Sequence, residues 1–355
     1  MKAEIVQHSF GLPGSGGPVV ALERLLANST TEFGVIRQLE PARGINLGLI
    51  KRFIAELKAY QPSLVHVRGL GNEGFHAALA ARLAKVPNIL VSVHGTYQDL
   101  KFSPNQWKTE IVRSLLEPAT LRFATHIATV CEFAAERAFL LPFRSKLVGV
   151  VPNGVESPSI MNCREAVRER LKVPQDLLLA VCVSRITVEK GYATLAEGLH
   201  LLDKGGSRFA IVIVGGGDES GAIRAMFKGL QNIAVTFLGH QSNVSQFLEA
   251  SDLFIFPSLH ENLSNALIEA LSFGLPVVAT DVGGNSEVVQ KGGGLLVPPS
   301  DPSKLAAAIE QLITDFVLRT ELSRRGRENV ARNYTVQKMV SGWHDVYKKI
   351  LGSAQ

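Results

Sequence analysis

Two doubly wound α/β domains of Rossmann-like type, facing across a cleft, are the fold class this chain predicts, and three observations predict it. Its 355 residues exceed one comfortable hydrophobic core and favour two domains. Short β-branched runs alternate with amphipathic helical patterns along the whole chain, as parallel strands joined by crossover helices require. The rhythm then breaks in a Pro-, Asn- and Ser-rich stretch, "PNGVESPSIMNCREAVRERLKVPQD", and restarts after residue 175.

The first series reads "AEIVQHSF", "SLVHVRG", "NILVSVHG", "HIATVCE" and "LVGVVPNG", each run ending in a glycine, a histidine or a polar residue. Helical stretches fall between them, among them "GPVVALERLLA", "LGLIKRFIAELKAY" and "EGFHAALAARLAK". This series makes a first domain over 1–155. The linker stretch ends in a short charged helix that opens a second domain over 156–335. Its strands read "LLLAVCVSRI", "FAIVIVGGG", "AVTFLG", "LFIFPS", "PVVATD" and "GGLLVPP". A last amphipathic stretch, "YTVQKMVSGWHDVYKKIL", covers most of 336–355.

A hydrophobic fraction of 46% with 19% charged residues describes a folded globular chain rather than a disordered one. No apolar run reaches the roughly 18 residues that span a bilayer. The opening "MKAEIVQHSF" reads as a first strand rather than an export signal. Cys131, Cys163 and Cys182 are scattered thiols without metal or disulfide spacing. A cytoplasmic protein is the expectation.

The formal net charge of +5 is unevenly placed: residues 1–158 hold 17 Lys/Arg against 12 Asp/Glu, whereas the remainder holds 20 of each. No dense basic stripe with interleaved aromatics appears, so nucleic acid is not an expected partner. A modest positive face, with the basic amphipathic run "INLGLIKRFIAELKAY", suits an anionic acceptor or an anionic membrane surface. It equally suits a solvated surface.

Four features carry chemistry. The first is "GLPGSGGPVVALERLL" after the first strand, where Gly16 and Gly17 would let backbone approach a ligand at a helix N-terminus. It is not a GxGxxG, and no acidic residue ends the second strand to hold a ribose, which disfavours a dehydrogenase. The second is "SRITVEKG", where Arg185 and Lys190 leave a buried strand five residues apart and suit a diphosphate. A solvated basic turn is the alternative.

The third is "HENLSNALIEALSFGLPVVAT", a loop, a helix closed by Gly274 ahead of Pro276, and a buried strand. It sets Glu261 in the loop and Glu269, eight residues on, inside the helix. Backbone N–H groups around Leu263, Ser264 and Asn265 sit at the positive helix end, suited to phosphate oxygens. The alternative is that Glu261 caps the helix and Glu269 faces water. The fourth is His94, at the end of "ILVSVHGTY", either structural or functional.

Together these motifs resemble the retaining GT-B glycosyltransferases of family 4. The resemblance is carried by "HENLSNALIEALSFGLPVVATDVGGNSEVV", "GGGLLVPPSDPSKLAAAI", "VPNGVE", "VSRITVEKG" and "IVGGGDE". It is strong over 145–335 and looser over 1–144. It implies that Glu269 grips the ribose hydroxyls of a UDP- or GDP-type sugar donor and that Glu261 binds the transferred sugar. Arg185 and Lys190 match the diphosphate clamp, Gly16 and Gly17 the first-domain loop that closes over the donor. His94 matches a histidine whose ring or carbonyl lies beside the sugar.

The family pattern further implies a front-face transfer with no metal and no other cofactor. It implies a glycan or lipid-linked acceptor on the side of the first domain, and a C-terminal helix that crosses back to that domain. Many relatives read "EGFGLP" where this chain reads "ENLSNA", bringing in Asn262 and Asn265 and leaving the sugar open. A GT-B sugar-nucleotide epimerase, needing no acceptor, is the alternative enzyme. A non-catalytic nucleotide-sugar sensor is the alternative outside catalysis, for which the combined set of Glu261, Arg185 and Lys190 is unnecessary.

Overall fold

The β-branched runs form two parallel sheets in the computed structural model, which describes residues 3–12, 16–39, 41–42, 44–99, 106–218 and 221–352. The chain separates into one unit of 1–154 with 336–355 and a second of 155–335. In the first lie β1 (Ile5–Phe10), β2 (Phe33–Gln38), β3 (Leu64–Arg68), β4 (Asn88–Val93), β5 (His126–Thr129) and β6 (Leu147–Val150). Their order is β2-β1-β3-β4-β5-β6. The direction of winding therefore reverses between β1 and β3, where sheets of this kind open a ligand crevice at the strand carboxyl ends.

The second unit holds β7 (Leu179–Val183), β8 (Phe209–Val214), β9 (Ile233–Gly239), β10 (Leu253–Phe256), β11 (Val277–Thr280) and β12 (Gly294–Val297). Their order is β12-β11-β10-β7-β8-β9, so the reversal falls between β7 and β10. All six are runs the sequence predicts. In the first half it predicts five, and β2 is the one it misses. That strand lies at the sheet edge, alternates buried residues with half-buried or exposed ones and contains Gly34, whose added Cβ would meet Val6 and the Tyr60 ring within 3 Å. A short alternating run with a glycine is a weak strand signal. With β2 in place, the acidic residue that follows the second strand is Glu40, which lies outside the described residues, as do Pro13 to Ser15 of the glycine-rich stretch.

Two helical layers cover the first sheet. Helices Leu47–Tyr60 and Asn72–Leu83 bury Ile50, Phe53, Leu57 and a run of alanines on one face. Ile50, Phe53 and Leu57 of "INLGLIKRFIAELKAY" therefore belong to the core and are not available to a membrane, whereas Ile45 and Leu47 at the start of the run are exposed. On the other face, helix Gly16–Asn28 and the C-terminal helix Val336–Gly352 pack Ala21, Leu25, Met339, Trp343 and Tyr347 over Ile5, Leu64, Leu90 and Ala128. Because side chains alternate along a strand, Gln7, His66 and Ser92 share that face one step nearer the carboxyl ends.

Candidate active site

Close backbone approaches gather the loops at the switch point of the second unit. Gly191, at φ +70°, follows the short helical turn Val188–Lys190, and a Cβ there would lie 1.9 Å from the Pro257 carbonyl oxygen. The Leu259 amide donates to the Glu189 carbonyl at 2.8 Å. The loop after β7 is thus laced to the loop after β10. From the other side Gly215, at φ +147°, presses on the Ser184 carbonyl, and the Ile186 amide donates to Gly216 at 2.7 Å. Only glycine fits such contacts at such φ values.

This lacing brings Lys190 to Glu261. Lys190 Nζ donates to Glu261 Oε1, and Ser258 Oγ donates to the same oxygen at 2.8 Å. The side chains keep only 17% and 12% of their exposure, so the pair is well shielded from water. Ser258 is itself fully buried, and its carbonyl accepts from Thr280 Oγ1 at the end of β11. Lys190 Nζ also lies 5.9 Å from the centre of the Phe256 ring.

Glu261 does not cap the helix. Ser264 does: its Oγ accepts from the Leu267 amide at 3.3 Å, and the helix runs Asn265–Ser272. Asn262 is buried, and its carbonyl accepts from the Gly284 amide at 2.6 Å, tying this loop to the one after β11. Leu263 is partly buried and packs beside the main core of the unit. Glu269 is half-buried, one turn into the helix, and its carbonyl accepts from the Phe273 amide and from Ser272 Oγ. Arg185 is exposed, so the structure brings Lys190 to Glu261 rather than to Arg185.

Sequence reasoning missed the supports of this cluster: Ser258, Thr280, Gly191 and Asn285. Asn285 is fully buried with neither amide atom hydrogen-bonded among the described residues, and Asn265 Oδ1 is in the same state. Such orphaned groups are uncommon in a finished core and mark places where water or ligand supplies the missing bond. Their signal was a polar residue inside each of two glycine-rich or helix-initial turns following a buried strand. Cys182, by contrast, is inert, because burial pushes its thiol up to about 11.

In the first unit Gly16 opens its helix at φ +74° with open space around the position of a Cβ, and Gly17 follows in the first turn. His94 follows β4 directly, half-buried, its Nε2 3.1 Å from Ser92 Oγ. Burial, and then the nearby Arg68 guanidinium, hold its pKa down to about 3, so the ring is neutral. The loop beyond it is fixed by Glu117, fully buried, which accepts from Thr96 Oγ1 and the Tyr97 amide, each at 2.7 Å. Around His94 the structure adds a buried polar group that sequence reasoning did not single out: Gln7, His66, Arg68, Ser92 and Tyr347. The readable sign was polar residues two apart, His66 and Arg68 in "LVHVR", in a strand otherwise wholly apolar.

Two family models match the chain, "Glycosyltransferase Family 4" over residues 13–157 and "Glycosyl transferases group 1" over 178–315. The 2-deoxystreptamine glucosyltransferase of Streptomyces kanamyceticus is 30% identical over 289 residues, 77% of this chain and 73% of that one. The UDP-Gal:alpha-D-GlcNAc-diphosphoundecaprenol alpha-1,3-galactosyltransferase of Escherichia coli is 25% identical over 306 residues, 82% of this chain and 76% of that one. Among solved structures, Anabaena Alr3699/HepE in complex with UDP-glucose matches with a TM-score of 0.80 at 19% identity, covering 98% of this chain and 99% of that one. At that identity the likeness speaks for the fold, and the fold is GT-B.

Proposed function

This chain belongs to glycosyltransferase family 4, the retaining group 1 enzymes that use nucleotide sugars, and on that premise we propose a UDP- or GDP-hexose donor and a hydroxyl acceptor on a glycan or lipid-linked sugar. The observation that supports the site assignment is the shielded Lys190–Glu261 pair, completed by Ser258 at the ends of the neighbouring strands β7 and β10, where the winding reverses. Cleavage of the anomeric bond leaves negative charge on the departing diphosphate. Lys190, Arg185 and the first-turn amides of Asn265–Ser272 stabilise that charge as it develops. Glu261 holds Lys190 in place and contacts the transferred sugar, while Glu269 binds the ribose. Asn262 and Asn265 help select the sugar, and Leu263 and Ser264 shape the turn that presents the amides.

On the side of the first unit, Gly16 and Gly17 give the donor phosphates a close backbone approach, and His94 lies beside the transferred sugar. With the cations supplied by the chain itself, transfer proceeds without metal. The acceptor oxygen attacks from the face the diphosphate leaves, and the diphosphate oxygen takes its proton. The printed name of the Escherichia coli relative, with its diphosphoundecaprenol acceptor, supports the lipid-linked class. Thermal-shift measurement against UDP- and GDP-hexoses tests the donor: one of them raises the melting point, and a panel that moves nothing contradicts the reading.

A cytoplasmic enzyme working at the inner face of an anionic membrane follows from the same reading. Its support is the charge excess of the first half and an exposed stripe of Trp107, Ile111 and Leu115 beside Lys108 and Arg113. Among the described residues no helix is long and apolar enough to cross a membrane. Co-sedimentation with anionic vesicles at low salt, lost in Trp107→Ala/Leu115→Ala, is the expected result. Equal binding to neutral vesicles, or none, removes the membrane from the account.

A further inference from the structure

We propose that a one-way chain of hydrogen bonds, Arg68 to Gln7 to Tyr347 to His66 to Ser92 to His94, fixes His94 as the neutral tautomer with its proton on Nδ1. Tyr347, on the C-terminal helix, is thereby a positioning residue for His94. All six side chains belong to the first unit.

The direction follows from one group that can only donate. Arg68 is a buried guanidinium, and its Nη1 donates to Gln7 Oε1 at 2.7 Å. That settles which way the Gln7 amide faces: Nε2 points to Tyr347 and donates to its hydroxyl oxygen at 3.1 Å. The Tyr347 oxygen has then accepted, and its own proton goes to the remaining neighbour, His66 Nδ1, at 2.8 Å. With Nδ1 accepting, neutral His66 carries its proton on Nε2, which donates to Ser92 Oγ at 2.9 Å. Ser92 passes its hydroxyl proton to His94 Nε2 at 3.1 Å. His94, its Nε2 lone pair occupied, keeps its proton on Nδ1.

Both histidines are in the state this requires. Desolvation and the Arg68 charge depress the pKa of each, so neither ring carries a second proton that would break the sequence of donors and acceptors. The consequence is chemical. His94 offers its surroundings an N–H donor at Nδ1 and no free basic nitrogen, so it orients an oxygen and does not take a proton. This last step rests on the placement of His94 in the active site proposed above; the tautomer itself does not.

Nitrogen-15 NMR of the full chain labelled at histidine, without substrate, reads the tautomer, with His94 assigned by comparison with His94→Gln. The expected wild-type spectrum has His94 protonated at Nδ1 and bare at Nε2 at neutral pH. A proton on Nε2 overturns the proposal without recourse to any variant. Gln7→Glu supplies the second test. A carboxylate accepts from both Arg68 and Tyr347, so Tyr347 must accept from His66, every later bond reverses, and His94 moves its proton to Nε2. A folded Gln7→Glu protein whose His94 keeps the Nδ1 proton sinks the chain as a relay of polarity.

Kinetics separates this inference from the site assignment. With a sugar nucleotide, Gln7→Glu lowers turnover about tenfold, the size of one misdirected hydrogen bond, with little change in KM. If His94→Ala transfers sugar at the wild-type rate while the tautomer result stands, His94 is outside the active site and the relay is intact.

Discussion

Glu261 carries two attachments at one oxygen, Lys190 Nζ and Ser258 Oγ, and this makes its removal different in kind from the removal of Glu269. Glu269→Ala takes away a ribose contact present in both ground and transition states, so it raises KM for the donor with kcat little altered. Glu261→Ala takes away a sugar contact and also leaves Lys190 unpaired in a shielded place, so it lowers kcat. A charged hydrogen bond is worth about 1.5–3 kcal/mol, roughly ten- to hundredfold, which separates the two signatures. Because Glu261 and Lys190 act as a unit, the double variant with Lys190→Ala loses little more than the worse single one. Additive losses across that cycle, measured as kcat/KM, mean that the pair seen in the fold has no part in transfer.

Loops and not strands decide the geometry at the scale of elements, and they were the harder part to read. The six strands of the second unit were legible because central parallel strands are buried on both faces and appear as unbroken apolar runs. β2 was not, since an edge strand with Gly34 and an exposed Arg37 gives up both continuity and β propensity. The loop residues of the site were legible as types at strand ends: Arg185, Lys190, Glu261. The ion pair between two of them was not, because it depends on a contact between Gly191 and Pro257 that are distant in sequence. Nor was the buried group behind His94, whose Tyr347 comes from the far end of the chain. Gly191 gives the prediction at this scale. Alanine there meets both an unfavourable φ and the Pro257 carbonyl, so Gly191→Ala forces the two loops apart, at a cost of at least 1–3 kcal/mol as an order of magnitude. Its melting point falls and transfer drops at least tenfold; a variant with the stability and rate of the wild type shows that the lacing is dispensable.

The molecule as a whole places four depressed histidines among the described residues of the first unit, His126 by burial and Lys349 and the other three around Arg68. Burial, foremost, and Arg68 next hold His8 and His94 down to about 3, and His66 is lowered for the same reasons. These three rings are neutral when folded and take up protons near pH 6.5 when unfolded, so their contribution is complete above about 6.5 and is lost as pH falls, for His8 and His94 toward about 3. Each removes about 1.4 kcal/mol per pH unit inside that window. Trp107 and Trp343, the two tryptophans of the chain, both belong to this unit and report on it. The midpoint of thermal unfolding followed by tryptophan fluorescence therefore drops steeply between pH 7 and pH 5, and a flat midpoint contradicts the buried neutral rings. The central claim is that the chain's own cations, with Lys190 foremost, carry the departing diphosphate without metal. Its most direct test is the rate of sugar transfer in excess EDTA for the wild type and for Lys190→Ala. An undiminished wild-type rate and a loss of roughly ten- to hundredfold in the variant are expected. A wild-type rate abolished by EDTA and restored by manganese, or a Lys190→Ala enzyme as fast as the wild type, would contradict it.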